Sequence, residues 1–348
     1  MRNINEVQRK SPSEENGRIK EALQLELLEW LMRSEILWKH KSRELWLKER
    51  DKNTKFFHLS TIIRKRHNSI DAIKSEEGQW VTSSNQIRKL LYSSFKKMFT
   101  EEDVAFPEQL ENLLPNGIFE EENTLLRSIP SSEEIKETFF QMHDTKASGP
   151  DGFPTLFYKE FWPIVGEIVI GAGTSFFENG RMSNEANSSL IILIPKTPNP
   201  TTVNNFRSIS LCNVVYKIIS KLLVAKLRPL LHKIISPCQS AFILGRWIAE
   251  NQVVVHELLH SFKVKKVKSG FMAVKIDLQN PYDRINWRFI QTVLSNLGFN
   301  DTFVNLVVAC ISSVSFEVLV NGGKSDQFKP SRVLRQGDPL PPYLFILG

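Results

Sequence analysis

The order in which extended and helical patterns follow one another is what most constrains this chain. Asn321-Gly322 stands between two extended arms in SFEVLVNGGKSDQFK, a strong signal for an antiparallel hairpin. Glu77-Gly78 marks a second turn, with a short extended run on each side within residues 70–81. SLIILIPK, residues 189–196, reads as a strand, and FMAVKID reads as another that ends at Asp277. Helical patterns lie between these. Strands that return by hairpin among helices predict an α+β fold rather than a doubly wound parallel sheet.

Residues 1 to about 18 are polar and are expected to fray. Leu23, Leu27, Trp30, Leu31, Ile36 and Trp38 then recur at helical spacing, and a second helical stretch runs through Leu45, Trp46 and Leu47. A helical hairpin or pair of helices is the expected result. Further helices are predicted over 84–98, from about Asn213 to Leu231, and through INWRFIQTVLSNLGF, where Gly298 is a natural stop. Ser131, Ser132 and Glu134 resemble a capped helix start. KASGPDGFP, residues 146–154, is a firm loop. The acidic stretch 101–122, with Pro107, Pro115 and Gly117, suggests a connector.

The 348 residues are 41% hydrophobic and 24% charged, which excludes wholesale disorder. The most apolar run, 304–320, contains Asn305 and Glu317, and the N-terminus carries no apolar leader, so neither a membrane span nor a signal peptide is expected. Cys212, Cys238 and Cys310 are too widely spaced for a zinc motif or a disulfide framework, so no disulfide partner is expected and a reducing compartment fits.

The formal net charge of +7 is unevenly spread. Residues 39–66 hold ten positive and three negative side chains, residues 101–150 three and twelve, and residues 205–268 eleven and two. The first basic block interleaves Lys48, Lys52, Lys55, Arg64, Lys65 and Arg66 with Trp38, Trp46, Phe56, Phe57 and His58. Two readings stay open on charge alone: a polyanion partner such as nucleic acid, or solvated helix faces. Asp277, at a predicted strand end before a helix start, suits a hard cation such as Mg²⁺, or a loop carboxylate bonded to nearby backbone N–H groups.

The wider context weighs on that choice. VKIDLQNPYDRINW (274–287) resembles the first catalytic motif of reverse transcriptases of non-LTR retrotransposons, the LINE kind. RQGDPLPPYLFIL (335–347) looks like their second palm motif, and FRSISLCNVVYKIISKLL (206–223) a fingers motif. KASGPDGF and SPCQSAFILGR match further blocks, and WLKERDKNTKFFH (46–58) resembles the stretch upstream of the polymerase in plant members. The blocks follow the family's order over about 300 residues of this sequence.

The resemblance implies a right-hand polymerase: a helical basic extension over 1–100, an acidic connector over 101–130, and fingers with part of a palm over 131–348. It implies RNA-templated DNA synthesis with an RNA template, a DNA primer, deoxynucleoside triphosphates and Mg²⁺, acting in the nucleus or cytoplasm. Asp277 would be the catalytic carboxylate and metal ligand, helped by the carbonyl of Leu278. Lys196 and Arg207 would hold the triphosphate, for which charge-assisted hydrogen bonds suit them. Tyr282 would lie under the sugar and disfavour a 2′-hydroxyl, while Gln336 and Gly337 would approach nucleotide or template. Asp283 and Asp338 are expected in caps or ion pairs.

The sequence also departs from the family. It contains no Asp-Asp pair, the source of the other metal carboxylates, so a truncated and inactive fragment is expected. An RNA-binding remnant without chemistry, or a pseudogene product without function, is the alternative. Asn280 and Pro281 stand where Lys and Ala are usual, Ser208 replaces Pro, Arg50 and Val333 replace Gly, and Pro341 replaces Ser. Asn280 and Pro281 remain compatible with an N-cap and first helical position. Val333 costs about 1 kcal/mol or more if its φ is positive.

Overall fold

The computed structural model describes residues 14–42, 54–101, 117–264 and 271–348. Two compact units divide the chain between Ser69 and Ile70. In the first, α1 (Glu14–Ser42) packs against α2 (Thr54–His67), and the Trp38 ring meets His58 edge-on at 4.3 Å. Leu23, Leu27 and Trp38 are half-buried, while Leu25, Leu28, Met32 and Ile36 stay exposed. Residues 14–18 belong to α1 rather than to a frayed end. The helical stretch at Leu45–Leu47 lies outside the described residues.

The second unit opens with β1 (Ile73–Lys74) and β2 (Trp80–Val81), paired antiparallel around the predicted turn, where Gly78 has a φ of 82°. Helix α3 (Ser84–Met98) buries Ile87, Leu91 and Phe95, one stripe at fourfold spacing. Then come α4 (Glu120–Arg127) and α5 (Ser132–Phe140). Ser131 caps α5 as its spacing suggested: its hydroxyl accepts from the Glu134 amide at 3.2 Å, and the Glu134 carboxylate accepts from the Ser131 amide at 2.8 Å. Beyond the glycine-proline loop, α6 (Thr155–Glu160) and α7 (Trp162–Asn179) lead to the central sheet.

That sheet is mixed. β3 (Ser188–Pro195) pairs antiparallel with β4 (Phe206–Cys212), Ser189 opposite Cys212 and Pro195 opposite Phe206. Helices α8 (Val214–Leu227), α9 (Leu231–Ile234), α10 (Ile248–Val264), α11 (Pro281–Arg284), α12 (Trp287–Asn296) and α13 (Asp301–Ser312) separate β4 from β5 (Ser315–Val320). β5 lies parallel to β3, and β6 (Gly323–Lys324) returns antiparallel to it, giving the order β4-β3-β5-β6. Asn321 and Gly322 turn that hairpin with φ of 49° and 86°, the positive pair that the two-residue turn needs. Helix α14 (Pro341–Leu347) follows. Ile191, Leu193, Phe206, Phe316 and Val318 pack with the buried stripe of α3, and a larger core gathers residues of α5, α7, α8, α12 and α13.

Three readings change. FMAVKID is not a strand: residues 271–278 are irregular and exposed, with Met272 at 84% and Ile276 at 82%. Among the described residues no strand pairs with it, and without a neighbour its N–H and C=O groups have no ladder to join. Residues 206–212, read as a fingers motif with no element assigned, form β4. The basic helix from Asn213 divides, because Pro229 interrupts it with a tight turn before α9.

A buried polar knot ties these elements together. Arg335 (3% exposed) donates to Asn187 Oδ1 at 2.6 Å, Ser189 Oγ at 3.1 Å and the Cys310 carbonyl at 3.2 Å. Its guanidinium sits 3.8 Å from the Tyr216 ring centre and 3.2 Å from the Asp338 carboxylate. Asp338 (4% exposed) also accepts from the hydroxyls of Tyr216, at 2.5 Å, and Ser220. Replacing Arg335 with Leu leaves that carboxylate buried without a cation, so about 3–5 kcal/mol of stability should be lost. The urea midpoint measures this; an unchanged midpoint would show that the pair is dispensable. Adding Asp338→Leu to Arg335→Leu should cost less than the sum of the two single changes.

Candidate functional site

Six of the seven residues expected to bind nucleotide or metal line one cavity of about 340 Å³: Lys196, Arg207, Asp277, Leu278, Tyr282 and Gln336. Three separate parts of the second unit supply them. Lys196 directly follows β3, and its amide extends the strand pairing by donating to the Asn205 carbonyl at 2.7 Å. Arg207 is exposed on β4, opposite Ile194. Gln336 is held by its backbone, whose carbonyl accepts from the Ser210 amide of β4 at 2.7 Å. Asp277 and Leu278 come from the exposed irregular segment and form the open part of the wall.

Tyr282 lies in α11. Its ring stacks on Phe345 of α14 at 4.8 Å, and its carbonyl accepts from the Leu334 amide at 2.7 Å. It therefore packs against the core and faces the cavity at once, and burial raises its pKa. Asn280 occupies the N-cap position in the left-handed region (φ 49°, ψ 52°), without capping α11 through its side chain. Its Oδ1 instead faces the Lys196 ammonium at 3.5 Å, and Lys196 also donates to the Asn204 carbonyl at 3.1 Å. Pro281 fits the first helical position.

Gly337 is not among the residues lining this cavity. Its φ is 106°, and a Cβ there would come 3.0 Å from the Ser210 carbonyl. Its missing side chain thus serves a close approach to β4. The basic candidates belong to the first unit. Arg64, Lys65 and Arg66 are exposed in the last turn of α2, and Lys55 is in its first turn. Lys48 and Lys52 lie outside the described residues.

The geometry adds Asp283, read from sequence as structural, to the cavity wall. Burial pushes its pKa up to about 6, against the pull of Lys196 and Arg284. An acidic residue in a first helical turn looks like an ordinary helix start, so nothing in its spacing reveals this. Two carboxylates, Asp277 and Asp283, thus line the same cavity as Lys196 and Arg207. Among the described residues no group of three or more His, Cys, Asp or Glu could hold a metal ion. One carboxylate and a carbonyl suit a Mg²⁺ ion only in company with water and phosphate oxygens, and two closely spaced ions need further carboxylates. Cys212 and Cys310 are buried free thiols and Cys238 an exposed one. No helix among the described residues is long and apolar enough to cross a membrane.

The raised pKa of Asp283 fixes the sign of a pH effect. Below pH 3.8 the group is protonated folded or unfolded, and as pH rises through about 6 the folded state must carry a buried charge. Its ionisation therefore removes stability across that window. The melting temperature of Asp283→Asn relative to the parent chain should rise between pH 4 and pH 7, by the equivalent of about 1–3 kcal/mol. A pH-independent difference would refute the assignment.

Comparison with known proteins bears on the same region. Residues 194–348 match the family described as reverse transcriptase (RNA-dependent DNA polymerase). Over 311 residues the chain is 25% identical to the transposon TX1 uncharacterized 149 kDa protein of Xenopus laevis, covering 88% of this chain and 24% of that protein. It is 26% identical over 215 residues to the retrovirus-related Pol polyprotein from the type-1 retrotransposable element R2 of Nasonia vitripennis, covering 62% and 20%. Against the corresponding polyprotein of element R2DM of Drosophila melanogaster, identity is 26% over 204 residues, covering 58% and 18%. The chain thus spans about a quarter or less of the length of these relatives.

Proposed function

We propose that this chain, which carries a reverse transcriptase domain of the non-LTR retrotransposon type, uses its 340 Å³ cavity to bind the incoming deoxynucleoside triphosphate during RNA-templated extension of a DNA primer. The observation that carries the reading is the convergence of Lys196, Arg207, Asp277, Tyr282 and Gln336 on that one cavity from segments up to 140 residues apart. Ammonium and guanidinium groups on anchored backbone supply charge-assisted bonds to phosphate oxygens. Asp277, with the Leu278 carbonyl, would hold Mg²⁺, which when bound neutralises charge developing on the phosphates. Tyr282, fixed by its stack on Phe345, presents a rigid ring edge against a 2′-hydroxyl.

The likeness of residues 46–58 to plant members supports a plant LINE-type element, and an RNA template supports a nuclear or cytoplasmic setting. A second reading, RNA binding without chemistry, draws on the exposed Arg64, Lys65 and Arg66 at the end of α2 and on the small number of carboxylates in the cavity.

Titration with dGTP and Mg²⁺ tests the nucleotide site. Lys196→Gln and Arg207→Gln should each weaken binding roughly tenfold, the equivalent of one charge-assisted hydrogen bond. Tyr282→Ala should narrow the preference for dGTP over GTP. Undiminished binding in both cationic variants overturns the assignment. In a primer-extension assay with Mg²⁺ the 348 residues alone should incorporate nothing. Incorporation that Asp277→Ala abolishes would overturn that expectation while upholding the role of Asp277.

A further inference from the structure

Helix α1 runs for 29 residues and α2 for 14. At 1.5 Å per residue that is about 43 Å against about 21 Å, so α2 covers only part of its neighbour. Leu25, Leu28, Met32 and Ile36 recur on α1 at three- and four-residue spacing, and each is more than half exposed. On a helix of 3.6 residues per turn they lie opposite Leu23, Leu27 and Trp38, which are half-buried. By sequence the same stripe continues to Glu21 at one end and Lys39 at the other. We propose that this stripe is a self-association surface, on which a second copy of the chain lays its own α1 antiparallel about a two-fold axis near Trp30.

Charge selects both the occupant and its direction. With the axis there, Leu28 faces Met32 of the second copy, Leu25 faces Ile36 and Glu21 faces Lys39, and each contact is made twice. A parallel pair would set Glu21 against Glu21 and Lys39 against Lys39, and like charges brought face to face are unfavourable. The stripe is its own complement, and only when reversed. Glu29, beside it, is already paired with Arg33 of the same helix at 2.5 Å, which leaves the register to the charges at the two ends. A lipid surface is the poorer match, because helices that lie on membranes border their apolar face with Lys and Arg, whereas an acid bounds this stripe at one end. The contact is short, about 27 Å from Glu21 to Lys39. It falls at the small end of specific interfaces, below about 1,200 Å² in total, so a micromolar dimer is expected rather than a nanomolar one.

Sedimentation velocity of the 348-residue chain across a concentration series tests this. The sedimentation coefficient should rise from monomer to dimer with a midpoint on the order of 10 μM. Leu28→Glu with Met32→Glu, both on the exposed stripe, sets carboxylates against one another and should weaken association by more than about tenfold. Glu21→Lys alone should weaken it severalfold by opposing Lys39, Lys39→Glu alone should do the same, and the two together should restore the parent midpoint. A chain that stays monomeric throughout overturns the proposal. So does a dimer indifferent to Leu28→Glu with Met32→Glu, which places the contact on another surface. Failure of the charge exchange to restore association overturns the antiparallel register. A chain that is monomeric in solution and co-sediments with phosphatidylserine vesicles overturns the second copy as occupant in favour of a lipid surface. If the double glutamate variant loses helix by circular dichroism, carbodiimide cross-linking of the parent chain, mixed from ordinary and isotope-labelled copies, decides. A mixed-isotope peptide pair joining Glu21 to Lys39 supports the proposal, and the absence of any mixed-isotope pair that includes α1 overturns it.

Discussion

The buried pairing of Arg335 with Asp338 is the interaction on which the rest of the second unit depends. Two charges taken out of water are tolerable only when every remaining lone pair and proton is satisfied. Here β3 and the chain before it satisfy the cation through Ser189 and Asn187, and α8 satisfies the carboxylate through Tyr216 and Ser220. The pair therefore fixes sheet and helix in one arrangement, because any other leaves a buried charge exposed to the cost of desolvation. Gln336 and Gly337 lie between these two anchors. The position of Gln336 in the 340 Å³ cavity is thus set by the buried pair on either side of it, and the positive φ of Gly337 lets the chain turn between the anchors against β4.

The two halves of the cavity are held by different means. Lys196, Arg207 and Gln336 are tied to the β3–β4 pair, whose seven-residue register admits little slippage. Asp277 and Leu278 sit at the end of a largely apolar segment with no strand beside it among the described residues. The cationic half is therefore held in place by the sheet, whereas the carboxylate half lacks the ladder that would fix its direction. A carboxylate directs a metal or a proton only as precisely as its backbone is held. The cationic side of the cavity is better determined than the carboxylate side.

What could be read from the sequence divides along the same line. Local signals carried through: the Ser131 cap, the Glu77-Gly78 and Asn321-Gly322 turns, the 84–98 helix and the strand over 189–196 each depend on residues close in sequence. The strand ending at Asp277 did not, since strand structure belongs to a pair and an apolar run states only one member's preference. β4 was hidden for the opposite reason. FRSISLC is moderately polar, and its strand state comes from pairing with β3. Convergence of Lys196, Arg207 and Tyr282 on one cavity has no signature in spacing and was legible only through resemblance. The burial of Asp283 was not legible at all, because it depends on what α11 packs against.

Val333 shows how the fold holds a strained residue in place. Its φ of 132° is a conformation that a β-branched residue resists, and such strain costs about 1–3 kcal/mol. The backbone is nonetheless held there from both sides. The Val333 amide donates to the Ile285 carbonyl at 3.1 Å, and Trp287 Nε1 donates to the Val333 carbonyl at 2.8 Å. The side chain is 3% exposed and packs into the core beneath α3, and burying a valine returns about 1.5–3 kcal/mol. Burial and strain are thus of similar size and opposite sign. The backbone at this position is dictated by its neighbours, α11 and α12, rather than by the residue that occupies it. The path that leads from Val333 to Arg335, and so to the buried pair, is kept despite the strain.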